Sequence, residues 1–183
     1  MKRLFAKLLF WFMGWKIVGK TNWPNKCLVI AAPHTSNWDF LIGRCFTYII
    51  GVIPKYLIKS EFFLPILGTL FRWNGGIPVY RNVRNDIVNQ ITELYNSKEK
   101  FVLGISPEGT RSKVDRWKTG FYHISINSKI PLLLIKMDYE NKEIGVISEF
   151  HPTGNITEDL DFIQRKFKDI KGKIPENYNP KIH

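Results

Sequence analysis

Along this chain short apolar runs alternate with longer segments in which apolar residues recur every three or four positions. Cys27 to Ala32 is one such run. It is rich in β-formers, is closed by Pro33, and reads as a buried strand. Phe40 to Ile50 follows with helical periodicity, and Ser36, Asn37 or Asp39 can cap it. Lys55 to Ile58 reads as a short strand. Phe62 to Trp73 reads as an apolar helix with Pro65 in its first turn, where proline is tolerated. Asn74-Gly75-Gly76 breaks the pattern, and Ile77 to Tyr80 is the next strand. The spacing then predicts an amphipathic helix over Arg84 to Ser97, a strand over Phe101 to Ile105 and a polar loop from Ser106 to Lys118. A helix over Gly120 to Asn127 and a strand over Pro131 to Lys136 come next. Glu143 to Ile147 is expected as an antiparallel edge strand, Glu158 to Ile170 as a polar surface helix, and the tail from Lys171 as irregular. Strands alternating with helices define an α/β fold, a single domain with a largely parallel, mixed sheet flanked by helices. A chain of 183 residues is long enough to bury one substantial core.

The N-terminus changes this picture. No acidic residue occurs from Met1 to Trp38, whereas Lys2, Arg3, Lys7, Lys16, Lys20 and Lys26 are basic. On a helical wheel Leu4, Phe5, Leu8, Trp11, Phe12 and Trp15 share one face. The basic side chains occupy the other half together with Leu9, Phe10 and Met13. The apolar stretch falls short of the ~20 residues that cross a bilayer. A basic, aromatic, amphipathic helix suits the membrane interface. The competing readings are a signal peptide and a helix packed on the domain's own core. Lys7 inside the run, and no small-residue cleavage site after it, speak against the first. We therefore divide the chain into an amphipathic membrane-associating helix, residues 1–20, and a folded domain, residues 21–183.

The formal charge of +11 favours anionic partners, among them nucleic acid, anionic headgroups and phosphorylated small molecules. No recognisable nucleic-acid module accompanies it, so a nucleic-acid partner is not expected. Cys27 and Cys45 lie in apolar surroundings without metal-ligand spacing and read as reduced core residues. No metal is expected.

Four clusters carry candidate chemistry. His34-Thr35-Ser36-Asn37-Trp38-Asp39 places a histidine and an aspartate where a strand ends and a helix begins. Ligands bind at that edge of an α/β sheet, and the pair can act as a base with its orienting carboxylate. Alone, His and Asp at this spacing also occur by chance. Gly75-Gly76-Ile77-Pro78-Val79-Tyr80-Arg81 ends on a guanidinium fork suited to phosphate or carboxylate, although a surface arginine after a strand reads the same way. Ser106-Pro107-Glu108-Gly109-Thr110-Arg111-Ser112 gathers a carboxylate, a flexible glycine, a hydroxyl and a guanidinium, which a solvated loop can also contain. Ile130-Pro131-Leu132-Leu133-Leu134 reads as a buried strand. Lys118 could meet a donor phosphate or simply be solvated. His123, His151 and His183 are not expected to be essential.

Taken in order, these clusters resemble the four sequence blocks of the glycerolipid acyltransferases, the family that includes 1-acylglycerol-3-phosphate acyltransferase. The resemblance runs from about Asn25 to Lys136. It implies transfer of a fatty acyl group from an acyl thioester to the free hydroxyl of a lysophospholipid. The acceptor it implies first is 1-acyl-sn-glycerol-3-phosphate, giving phosphatidic acid. His34 would be the catalytic base and Asp39 its partner. Arg81 would bind the acceptor phosphate, and Glu108, Gly109, Thr110 and Arg111 would contribute to acceptor binding. Acyl-CoA or acyl carrier protein would be the co-substrate, with no other cofactor. The protein would sit on the cytoplasmic face of the cell membrane, peripheral or monotopic, against anionic lipids. One departure is Ser106, where the family's third block usually opens with Phe. Other readings are another lysolipid or amino-acid lipid as acceptor, and a silent membrane-bound lipid-binding scaffold.

Overall fold

The computed structural model describes residues 1–79 and 86–182, the side chains of Ile66 and Asp86 excepted. In chain order its elements are α1 (Lys2–Met13), β1 (Lys16–Val18), β2 (Lys26–Ala32), α2 (Trp38–Ile50), β3 (Lys55–Lys59), α3 (Pro65–Trp73), β4 (Gly76–Val79), α4 (Asp86–Asn96), β5 (Phe101–Ile105), α5 (Gly120–Ser128), β6 (Leu132–Asp138), β7 (Glu143–Phe150) and α6 (Ile156–Phe167). Single 3-10 turns occupy Ser60–Phe62 and Pro175–Asn177.

The strands form one seven-stranded sheet in the order β1-β7-β6-β2-β5-β3-β4. β6, β2, β5, β3 and β4 run parallel, and β7 runs antiparallel to β6 with β1 parallel beside it. The period-two alternation of strand side chains divides the core into two layers. Leu28, Ile30 and Ala32 of β2, with Leu132 and Leu134 of β6, pack under α4, α5 and α6. Cys27 and Val29, with Leu133, Ile135 and Met137, face α1 and α2. A continuously apolar central strand follows from this, because both of its faces are covered. Cys27 and Cys45 are buried and unpaired, and burial pushes the Cys27 thiol up to about 12.

Several expectations need correction. β7 is not an edge strand, since β1 lies outside it in register Ile17 to Ile144. Three residues are too few for periodicity to announce β1. Trp15 does not continue the outer face of the N-terminal helix. The helix stops at Met13, Gly14 takes a left-handed conformation (φ 74), and the Trp15 N–H returns to the Phe10 carbonyl. That turn drives Trp15 into the core, 8% exposed. The tail is irregular in secondary structure yet firmly packed, with Ile170 and Ile182 buried.

α1 thus has two apolar faces. Ala6 and Phe10 pack inward beside α2, whereas Leu4, Phe5, Leu8, Trp11 and Phe12 are 57–83% exposed. Phe62, Leu64, Leu67, Leu70 and Trp73, in and just before α3, are exposed as well.

Candidate active site

β2 ends at Ala32, followed by a cis Ala32–Pro33 peptide bond and a tight turn into α2. His34 sits in that turn and Asp39 in the first turn of the helix. Of the three cap candidates, Ser36 accepts the Trp38 N–H on its hydroxyl (3.3 Å), and Asn37 makes no cap bond. Asp39 instead turns back into the loop. Its Oδ2 accepts the Thr35 N–H at 2.7 Å and the Ser36 N–H at 2.8 Å, and lies 3.1 Å from His34 Nδ1. Its Oδ1 accepts the Tyr139 hydroxyl at 2.7 Å. The carboxylate is therefore held on both oxygens while 4% exposed, and the His34 side chain is 22% exposed.

Burial acts on Asp39 first and raises its pKa. Hydrogen bonds from His34, Tyr139 and Ser36, with the His34 charge, outweigh it, and the carboxyl ends below its ordinary 3.8. Asp39 is a carboxylate at neutral pH, able to fix the imidazole tautomer with Nδ1–H towards it. Burial, reinforced by the Asp39 hydrogen bond and charge, raises Tyr139 and keeps its hydroxyl a donor. Tyr139 was not among the sequence candidates. It follows β6, 100 residues from its partner, and no local pattern links the two.

The third block comes to the same place. β5 lies beside β2 with Ile105 opposite Ile30, so both loops leave the same edge of the sheet. Glu108 turns inward, 3% exposed, and its Oε1 accepts the His34 N–H at 2.8 Å. Its Oε2 is buried without a hydrogen-bond partner. Burial raises the Glu108 pKa, the backbone N–H groups of Glu108 and His34 oppose it, and the net shift is upward. Gly109, Thr110 and Arg111 face solvent. Gly109 has a φ of +68, and Lys118 lies against it, with Nζ 3.1 Å from where a Cβ would stand. Arg81 lies outside the described residues. An open groove of about 430 Å³ lies between β4 and α4, walled by Ile77, Val79, Ile91 and Leu94 with Gln90 and Glu93.

The tail completes the site. The Ile174 N–H donates to Thr35 Oγ1 (3.2 Å), the Tyr139 N–H donates to the Lys171 carbonyl (2.9 Å), and the Lys173 ammonium lies 5.0 Å from the Trp38 ring centroid. His151 is 73% exposed and pairs with Glu149 at 3.5 Å. It adjoins the opposite sheet edge, because β7 runs antiparallel to β6. His123 is exposed on α5, and His183 lies outside the described residues.

Fold and site together define an α/β domain with a histidine–aspartate dyad at the carboxyl edge of its sheet. The family model "Acyltransferase" matches residues 14–137, and the chain belongs to that family. It is similar to a 1-acyl-sn-glycerol-3-phosphate acyltransferase of Cocos nucifera, 26% identical over 138 residues, which cover 70% of this chain and 43% of that protein. It is similar also to the Escherichia coli protein of the same name, 28% identical over 125 residues, covering 64% and 49%. The chain spans about half the length of these curated relatives. A crystal structure of the 1-acyl-sn-glycerophosphate acyltransferase from Thermotoga maritima shares the fold, with a TM-score of 0.61 at 20% identity, over 94% of this chain and 80% of that one.

Proposed function

We propose that the protein transfers a fatty acyl group from an acyl thioester to the free hydroxyl of a lysophospholipid, with 1-acyl-sn-glycerol-3-phosphate as the acceptor. The observation that carries this reading is the dyad. Asp39 engages His34 Nδ1, which leaves Nε2 to take the hydroxyl proton. The hydroxyl oxygen attacks the thioester carbonyl. The tetrahedral intermediate collapses to the ester, and the departing thiolate takes the proton back from the imidazolium. Arg81 and Arg111 bind the acceptor phosphate, and Gly109 and Thr110 shape the loop around the headgroup. Glu108 supports the site from inside by holding the His34 backbone. The donor is acyl-CoA or acyl carrier protein, and both present negative charge to a protein of formal charge +11.

Among the described residues no helix is long and apolar enough to cross a membrane. The exposed face of α1 docks the protein in the interface instead, on the cytoplasmic side where both donors reside. The test is acyl transfer by purified protein in detergent, with labelled acyl-CoA or acyl carrier protein against a panel of lysolipids. Transfer to lysophosphatidic acid, reduced on the order of 10²-fold or more in His34→Ala, is expected. Full turnover in that variant would remove the base assignment. Folded protein that serves no acceptor with either donor would leave the scaffold reading standing.

A further inference from the structure

A second pocket, of about 320 Å³, lies where the start of α1, the second half of α2 and the end of α3 meet. Three cationic side chains line it, Lys2, Arg44 and Lys55, and among the described residues no acidic one does. Arg44 donates through Nη2 to the Asn74 carbonyl and, at 2.6 Å, to Asn74 Oδ1, and its Nε is buried without a partner. Its guanidinium lies 5.6 Å from the ring centroid of Tyr48. The Lys2 ammonium stands 4.5 Å from the Trp73 centroid and 5.6 Å from that of Tyr48. Cation–π contacts thus offset part of the repulsion among three like charges, but among the described residues no carboxylate forms an ion pair with them.

The pocket is separate from the dyad. Lys55 is level with Leu103, which is level with Leu28. β2 runs on to Ala32 before the catalytic turn begins, four residues or roughly 13 Å further along the strand. Its mouth is apolar and open: Trp73 is 72% and Ile53 52% exposed, and the uncovered face of α1 starts at Leu4, two residues from Lys2. A cationic floor under an apolar rim matches a phosphate that carries hydrocarbon chains better than a free anion. Two ammonium groups and the Arg44 guanidinium charge suit the phosphate oxygens.

We propose that this pocket binds the headgroup phosphate of an anionic bilayer phospholipid. It anchors the protein at a site apart from the one where the acceptor reacts. The proposal rests on the reading of α1 as a membrane-facing helix and is independent of the acyl-transfer chemistry.

The test is co-sedimentation of the full chain with vesicles of phosphatidylcholine alone and of phosphatidylcholine with phosphatidate. Wild type is compared with Lys2→Gln/Lys55→Gln and with Lys98→Gln/Lys100→Gln, a pair that removes the same charge from exposed positions outside the pocket. All three proteins should bind neutral vesicles alike. The preference for phosphatidate should fall about thirtyfold in the pocket pair, as expected for two cations at a membrane surface, and far less in the control pair. Short-chain phosphatidate should compete at concentrations where inorganic phosphate does not. Equal losses in the two pairs would overturn the pocket and leave a diffuse field, and equal competition by inorganic phosphate would overturn the lipid source. Wild type that ignores neutral vesicles would remove the membrane-facing reading of α1, and the pocket proposal with it.

Discussion

At the scale of residues, the site is a carboxylate held on both oxygens by four donors and a second carboxyl with one oxygen left unpartnered. Tyr139 tests the first. Tyr139→Phe keeps the ring that meets Trp15 edge-on at 5.0 Å but removes the donor to Asp39 Oδ1. Without that hydroxyl less of the Asp39 charge is offset, so Asp39 holds its proton to higher pH. A bond to a charged group is worth about 1.5–3 kcal/mol. Turnover should therefore fall about tenfold, and the acid limb of kcat/KM, which reports the dyad as a unit, should move to higher pH. An unmoved limb would reduce Tyr139 to packing. Glu108 tests the second carboxyl. Its folded pKa is raised, chiefly by burial. A raised carboxyl contributes stability below its unfolded value, near 4.5, and that contribution is lost as pH rises through the folded value. Glu108→Gln keeps an acceptor for the His34 N–H and buries no charge. Its Tm should exceed that of wild type at pH 8, with the difference shrinking towards pH 5. A difference independent of pH would show that the Glu108 carboxyl binds its proton alike in the folded and unfolded chain, so that burial does not raise it.

At the scale of elements, α1 shows how one helix serves two environments. Phe10, 4% exposed, belongs to the core, and Phe10→Ala should cost about 3–5 kcal/mol in denaturant unfolding. Trp11 and Phe12 are more than 80% exposed. Trp11→Ser/Phe12→Ser should move stability by no more than about 0.5 kcal/mol per site while abolishing binding to neutral vesicles. Unchanged vesicle binding would detach α1 from the membrane. The outer face was legible because aromatic residues recur at helical spacing between lysines. The inner face was not, since a wheel shows which residues share a side and not which side meets α2. The β2–turn–α2 unit was legible for a related reason: a strand closed by Pro33 and a helix starting near Asp39 force His34 and Asp39 together through local chain alone. Glu108 was found in the third block, yet its inward orientation depends on the pairing of β5 with β2, which no local spacing encodes. Tyr139 depends on β6 lying on the other side of β2, and β1 was too short to register.

At the scale of the whole molecule, the tail ties the layers to the turn that carries His34. Trp117, just after the third block, donates its N–H to the Lys181 carbonyl and its indole N–H to the Asn179 carbonyl. The Ile182 N–H reaches Gln164 on α6 at 2.7 Å, and the Tyr178 hydroxyl donates to the Phe167 carbonyl that ends that helix. Between these ties residues 171–174 cross the turn that holds Asp39. Gly172 makes the crossing possible. A Cβ there would stand 2.8 Å from Thr35 Oγ1, 2.9 Å from Thr35 Cγ2 and 3.1 Å from Pro33 Cβ. Gly172→Ala must therefore displace either the tail or the turn, at a cost of about 1–3 kcal/mol for overpacking. Thr35 supplies the shortest backbone bond to Asp39. Displacing the turn lowers kcat, whereas displacing the tail alone lowers only Tm. Thr35→Ser removes the Cγ2 contact and keeps the hydroxyl that accepts the Ile174 N–H. In a double-mutant cycle the Thr35→Ser/Gly172→Ala protein should recover part of both losses, because residues in direct contact do not add. Strict additivity in kcat and Tm would mean that the two sites do not touch, and the tail would then cover the His34 turn without holding it.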